Sequence, residues 1–243
     1  MFNLELSKYI FSYINEENDA KIFEKAINKS IKYGLIQTTN QTDRLMFSWK
    51  NKKPRDFIVI KRKISLDQEL VSHLIKLIDN QFELSKIIPT KTGLEKGDYN
   101  KRPEWSVESM VNSLVCKWSY NEENISVLDM AADIMYRIAA INHPFTNGNK
   151  RTALLSVGAF LDVIGLYLYS YKLKGKTQYL EKWETFMLDV AESKNKNKTE
   201  EETLESIKKK LFESILMNFK NITWSKELMQ EKFVEVRDEE VQF

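Results

Sequence analysis

Apolar residues recur along this chain mostly at three- and four-residue intervals, the spacing that gathers side chains on one face of an α-helix. Ile22, Phe23, Ala26, Ile27 and Ile31 mark a helix over roughly 19 to 33, with Gly34 as its C-terminal stop. The period then changes. Arg44 to Lys50 and Asp56 to Arg62 are rich in β-branched and aromatic residues on either side of the turn-prone stretch Asn51 to Pro54, which predicts a β-hairpin. A small α+β N-terminal extension is expected to end near residue 63.

Helical spacing then returns. Ser65 with Gln68 forms a capping box ahead of Leu70, Leu74, Leu77, Ile78 and Phe82, and His73 reads as a surface residue of that helix. Residues 88 to 104 hold Pro89, Gly93, Gly97 and Pro103 among polar neighbours, a composition that predicts a loop or short extended flap able to present a substrate. Val107, Met110, Val111, Leu114 and Trp118 restart a helix, and Ser126 with Asp129 caps another that runs through Leu128, Ala131, Met135 and Ile138. Leu154, Leu155, Val157, Leu161 and Ile164 define one more, closed by Gly165.

Tyr167 to Leu173 alternates weakly, like a strand, and Tyr179, Trp183, Phe186, Met187 and Val190 are helically spaced again. Glu192 to Glu202 reads as a polar linker. Thr199 and Glu202 then cap a helix carrying Leu204, Ile207, Leu211, Ile215 and Phe219 on one side, followed by a charged tail expected to be loosely held. The expected fold is mainly α, in three parts: the extension over 1–63, a helical core over 64–191 built on a central helix-loop-helix, and a helical C-terminal extension over 192–243.

Composition narrows the function classes. Lys+Arg number 37 against 35 Asp+Glu, so the net charge of +2 gives no bulk attraction to nucleic acid or membrane, and charge-driven binding has to be local. The chain has no apolar run of about 18 residues, and its start lacks a basic segment and a small-residue cleavage site; a cytoplasmic protein is expected, with no membrane partner. Cys116 is the single cysteine, which excludes an intrachain disulfide and a multi-thiolate metal site. It is expected to be a buried small residue.

The segment Asn142 to Arg151, NHPFTNGNKR, concentrates a titratable base, a turn glycine, several amides and two cations between two predicted helices. Gly148 allows positive φ, so successive backbone N–H groups can turn inward, and the following helix adds its N-terminal partial positive charge. Lys150 and Arg151 fall in that helix's first turn, where a cation opposes the dipole unless an anion compensates. Phosphate fits, because a guanidinium can grip it through two parallel hydrogen bonds. His143 titrates near neutrality, as a general base requires. Pro144 and Phe145 read as structural members of the loop.

These residues resemble the Fic motif, His-Pro-Phe-x-x-Gly-Asn-Lys-Arg, with an ending similar to the death-on-curing (Doc) branch; Thr152 to Leu155 extend the likeness, which covers about 66 to 170. The resemblance implies a Fic-type helical core with a β-hairpin flap that holds a target protein beside the loop. It implies that His143 deprotonates a Ser, Thr or Tyr hydroxyl, that Gly148 and Asn149 line the anion nest, that Lys150 and Arg151 hold the phosphates of ATP with Mg2+, and that Phe145 anchors the loop. Arg151 is thereby a catalytic as well as a phosphate-binding candidate. The group transferred is AMP in most Fic enzymes and phosphate in the Doc branch. Leu154 stands where many AMP-transferring members have a second arginine.

Asn147 occupies the position of the family's usual Asp or Glu metal ligand, and an amide oxygen brings no negative charge to a hard cation. Three readings therefore stay open: a weakened transferase, a nucleotide- or partner-binding pseudoenzyme, and a substituted form of an active protein. The resemblance also implies a regulator, either an antitoxin of a toxin-antitoxin pair or an inhibitory helix; Ser119, Glu123 and Asn124 match that helix's pattern in a stretch that reads as a connecting loop. Lys50, Lys52, Lys53, Arg55, Lys61, Arg62 and Lys63 on the hairpin leave a nucleic-acid contact as a further alternative.

Overall fold

A computed structural model of the chain describes residues 7–38, 44–47, 55–87, 98–104, 106–168, 176–218 and 222–223. The described residues are mainly helical. Helices α1 (Glu16–Lys32), α2 (Gln68–Ile87), α3 (Val107–Tyr120), α4 (Val127–Tyr136), α5 (Asn149–Val163), α6 (Lys176–Ala191) and α7 (Glu200–Ser214) alternate with short strands. Strands β1 (Ser7–Tyr13), β2 (Ile36–Thr38), β3 (Arg44–Phe47), β4 (Arg55–Lys63) and β7 (Ile222–Thr223) make a sheet of order β2-β3-β4-β1-β7, and β5 (Leu166–Leu168) pairs with β6 (Ile215–Met217).

Several elements form where local chemistry demands. Ser126 and Asp129 make a full capping box at the start of α4, and Thr199 and Glu202 make another at α7, as the sequence predicts. Gly34 lies at φ +68 just past α1 and Gly165 at φ +98 past α5, the left-handed C-cap geometry that favours glycine. The hairpin is present as antiparallel β3 and β4; its expected turn lies outside the described residues, as do most of the flap region and the C-terminal tail.

Other expectations are corrected. The cap of α2 is Asp67, whose carboxylate accepts the Glu69 and Leu70 N–H groups at 3.0 Å each, in place of a Ser65–Gln68 box. Helix α7 stops at Ser214: Ile215 is extended (φ −85, ψ 147), and the buried run Ile215–Met217 pairs antiparallel with β5, so the C-terminal extension is not purely helical. Three consecutive buried residues suit a short interior strand better than one helix face. Cys116 is exposed, because it falls on the outer face of α3 while Leu114, Val115 and Trp118 turn inward. Three further strands, β1, β2 and β7, go unpredicted.

β1 ties the extension to the rest. It runs parallel to β4 and antiparallel to β7, and stacks Phe11 on Phe23 of α1 with ring centroids 4.5 Å apart. At its other side the Ser12 N–H donates to the Ile164 carbonyl at 2.9 Å, the Tyr9 hydroxyl donates to the Gly165 carbonyl, and the Asn218 N–H donates to the same carbonyl at 2.8 Å. A Cβ at Gly165 would stand 2.5 Å from the Ile10 carbonyl oxygen, so the close approach of β1 to the end of α5 requires glycine there. Asp19, fully buried in α1, accepts the N–H groups of Ile14 and Val127 at 2.8 Å each and of Asn15 at 3.3 Å, pinning the start of α4 to the extension.

Candidate functional site

Helix α4 does not run smoothly into the motif. It passes into a π turn, Arg137–Ile141, closed by the Asn142 N–H on the Arg137 carbonyl at 2.8 Å, and π turns occur frequently at functional sites. His143 follows with φ +43, a left-handed conformation that costs a non-glycine residue roughly 1 to 2 kcal/mol. The strain is held by its surroundings. Phe145 is fully buried and stacks on Phe82 of α2 with centroids 3.8 Å apart, and the Arg102 N–H donates to the Pro144 carbonyl at 2.9 Å. Pro144 is buried as well.

Past the turn, Gly148 sits at φ +81 as the N-cap of α5, with no side-chain cap of its own. The Asn149 amide closes the loop from inside: its Oδ1 accepts the Phe145 N–H at 3.1 Å and its Nδ2 donates to the Phe145 carbonyl at 2.7 Å. The side chain of Asn149 therefore shapes the turn. Asn147 Oδ1 accepts the Gly148 N–H at 2.7 Å. Lys150 is exposed, and Arg151 is half-buried with one guanidinium nitrogen donating to the Tyr99 hydroxyl.

His143 is half-buried, and this burial, followed by the positive charges of Arg102, Lys150 and Lys194, holds its pKa below the ordinary 6.5; a hydrogen bond to the Ala140 backbone pulls the other way. All three charges acting on it are positive. An imidazole so placed is neutral near pH 7 and able to take a proton. Arg102, Tyr99 and Lys194 were not singled out from the sequence. They lie some forty residues on either side of the motif, and the Lys101–Phe145 bridge, the hydrogen bonds of Arg102 and Asn100 to Pro144 and Thr146, and the packing of α6 on the π turn bring neighbouring segments to it.

A directly held magnesium does not fit this donor set. Asn147 offers one uncharged oxygen already engaged by Gly148, and among the described residues no group of three or more His, Cys, Asp or Glu side chains gathers to hold a metal. The Ser119–Glu123–Asn124 pattern spans the end of α3 and the turn before α4, a helix length from the motif, with the Glu123 carbonyl engaged by Asn15. On the hairpin, Lys61 pairs with Glu16 at 2.7 Å and Lys63 with Glu122 at 2.6 Å, and β4 is an interior strand, so its described part does not project as a basic wing. A cleft of about 140 Å³ between α1 and β1, lined by Phe11, Phe23, Ile27 and Lys61, is too small for a nucleotide. No described helix is long and apolar enough to cross a membrane.

A half-buried imidazole, a left-handed glycine and an arginine thus fall within one short stretch at the joint of two core helices. Residues 68–161 match the family model described as Fic/DOC family, a family of transferase-type function. No curated protein and no solved structure matches the chain.

Proposed function

We propose that the chain transfers a phosphate-containing group from ATP to the hydroxyl of a Ser, Thr or Tyr side chain on a target protein. The observation that carries this reading is the strained turn of His143, which sets an imidazole of lowered pKa within a few residues of Gly148 and Arg151 at the N-terminus of α5. His143 takes the hydroxyl proton. The acceptor oxygen then forms a bond to the α-phosphorus as the bond from that phosphorus to its bridging oxygen breaks, and pyrophosphate leaves with the electron pair. Attack at the γ-phosphorus instead places a phosphate and releases ADP. Lys150, Arg151 and the N-terminal N–H groups of α5 offset the charge of the leaving group. Magnesium comes bound to the ATP phosphates.

A second reading is favoured by one contact. Asn147 supplies no carboxylate and its oxygen occupies the Gly148 N–H, which suits a protein that binds nucleotide or a partner without turnover. A labelling assay separates the two: full-length chain, Asn147→Asp and His143→Ala are each incubated with cell lysate, magnesium and ATP labelled at the α or the γ position. Label that His143→Ala lowers by about 100-fold to 10,000-fold supports transfer, and the labelled position identifies the group. Equal labelling by His143→Ala contradicts it, and label appearing only with Asn147→Asp selects the binding protein.

A further inference from the structure

We propose that Tyr99 is a gate on the phosphate seat, which nucleotide enters only by displacing the tyrosine from Arg151. The inference rests on the reading that the loop takes nucleotide phosphates, and it adds a control on that site from outside the motif.

Arg151 donates to the Tyr99 hydroxyl, and the guanidinium carbon lies 5.5 Å from the centre of the Tyr99 ring. The same ring covers the start of α5, since a Cβ built on Gly148 would stand 3.1 Å from Tyr99 Cε1. Tyr99 thus touches both features that make the loop an anion cradle: the fork of the arginine and the open N-terminus of the helix. The nearby Gly148 N–H is likewise engaged by the neutral Asn147 oxygen. One Arg151 nitrogen and the Gly148 N–H thus each rest on an uncharged oxygen of the protein itself.

The placement of Tyr99 is built into the loop. The Asn100 N–H donates to Thr146 Oγ1 at 3.0 Å, the Thr146 N–H returns to the Asn100 carbonyl at 2.9 Å, and the Thr146 hydroxyl donates to the Asp98 carbonyl at 2.6 Å. Lys101 pairs with Asp79 of α2 at 2.7 Å. Residues on both sides of Tyr99 are therefore fastened to the motif, while its half-buried side chain keeps a route to solvent. A phosphate is the stronger partner for a guanidinium, because both members of the bond are charged. It wins Arg151 from a phenol, with its affinity lowered by the fraction of chains in which the seat is shut.

Tyr99→Phe deletes the hydroxyl and keeps the ring. Calorimetric titration of ATP into the full chain is expected to give a dissociation constant about threefold to tenfold lower in Tyr99→Phe than in the unaltered protein. The gain should vanish when both proteins also carry Arg151→Ala, since the hydroxyl acts through that guanidinium. Arg151-dependent binding that is unchanged or weaker in Tyr99→Phe overturns the gate and leaves the phosphate seat standing. Absence of any Arg151-dependent binding in either protein overturns the gate and the seat together.

Discussion

Replacing Asp19 with asparagine tests how the extension is fastened to the helix that carries the motif. Burial, opposed by the N–H groups of Val127, Ile14 and Asn15 and reinforced by the negative charge of Asp129, raises the Asp19 carboxyl from the ordinary 3.8 to about 6. The folded chain therefore holds this proton more tightly than the unfolded chain. The stabilisation, about 3 kcal/mol for that displacement, is fully present below pH 3.8 and is lost as the pH rises through 6. Asparagine does not titrate, and its NH2 group meets a cluster of N–H donors, which adds a cost of about 1 to 3 kcal/mol at every pH. Urea unfolding followed by tryptophan fluorescence, repeated from pH 4.5 to 7.5, should find Asp19→Asn less stable at the acid end, with that gap narrowing by about 2 kcal/mol toward pH 7.5. A gap that widens with pH would refute the reasoning, for it would mean that the three N–H bonds outweigh burial and that the carboxylate is held ionised.

Gly165→Ala places a methyl 2.5 Å from the Ile10 carbonyl oxygen at a φ of +98 and should cost about 3 kcal/mol in the same unfolding assay; a loss under 1 kcal/mol would show that β1 shifts freely. For transferase activity, kcat/KM should rise with pH to a plateau whose midpoint lies below 6.5, because His143 acts as the neutral base and its pKa is lowered. A midpoint above 6.5 in the pH-rate profile would contradict that role. Asn149→Ala leaves the Phe145 N–H and carbonyl without their side-chain partner and should lower stability by about 1 to 3 kcal/mol while weakening ATP affinity, read by unfolding and titration; unaltered affinity would separate loop shape from phosphate binding.

Local signals in the sequence proved the most legible. The capping pairs Ser126–Asp129 and Thr199–Glu202 lie three residues apart and need nothing distant to form, and the glycines at 34, 148 and 165 all adopt the positive φ expected of them. The motif was visible for the same reason, its functional groups being packed into ten consecutive residues. What escaped depends on contacts across long separations. Residues 7–13 become a central strand only because β4 and β7 flank them, and Ile215 leaves its helix only because β5 offers a partner. Tyr99 reaches Arg151 across 52 residues, through hydrogen bonds of Asn100 and Arg102 that no periodicity encodes.

The most direct test of the central claim is a crystal structure of the chain with magnesium and a non-hydrolysable ATP analogue. The expected result is a phosphate chain seated between His143 and the N-terminus of α5, gripped by Arg151 with its guanidinium turned away from Tyr99. Phosphates bound elsewhere, or Arg151 still on the Tyr99 hydroxyl beside an occupied nucleotide site, would contradict it.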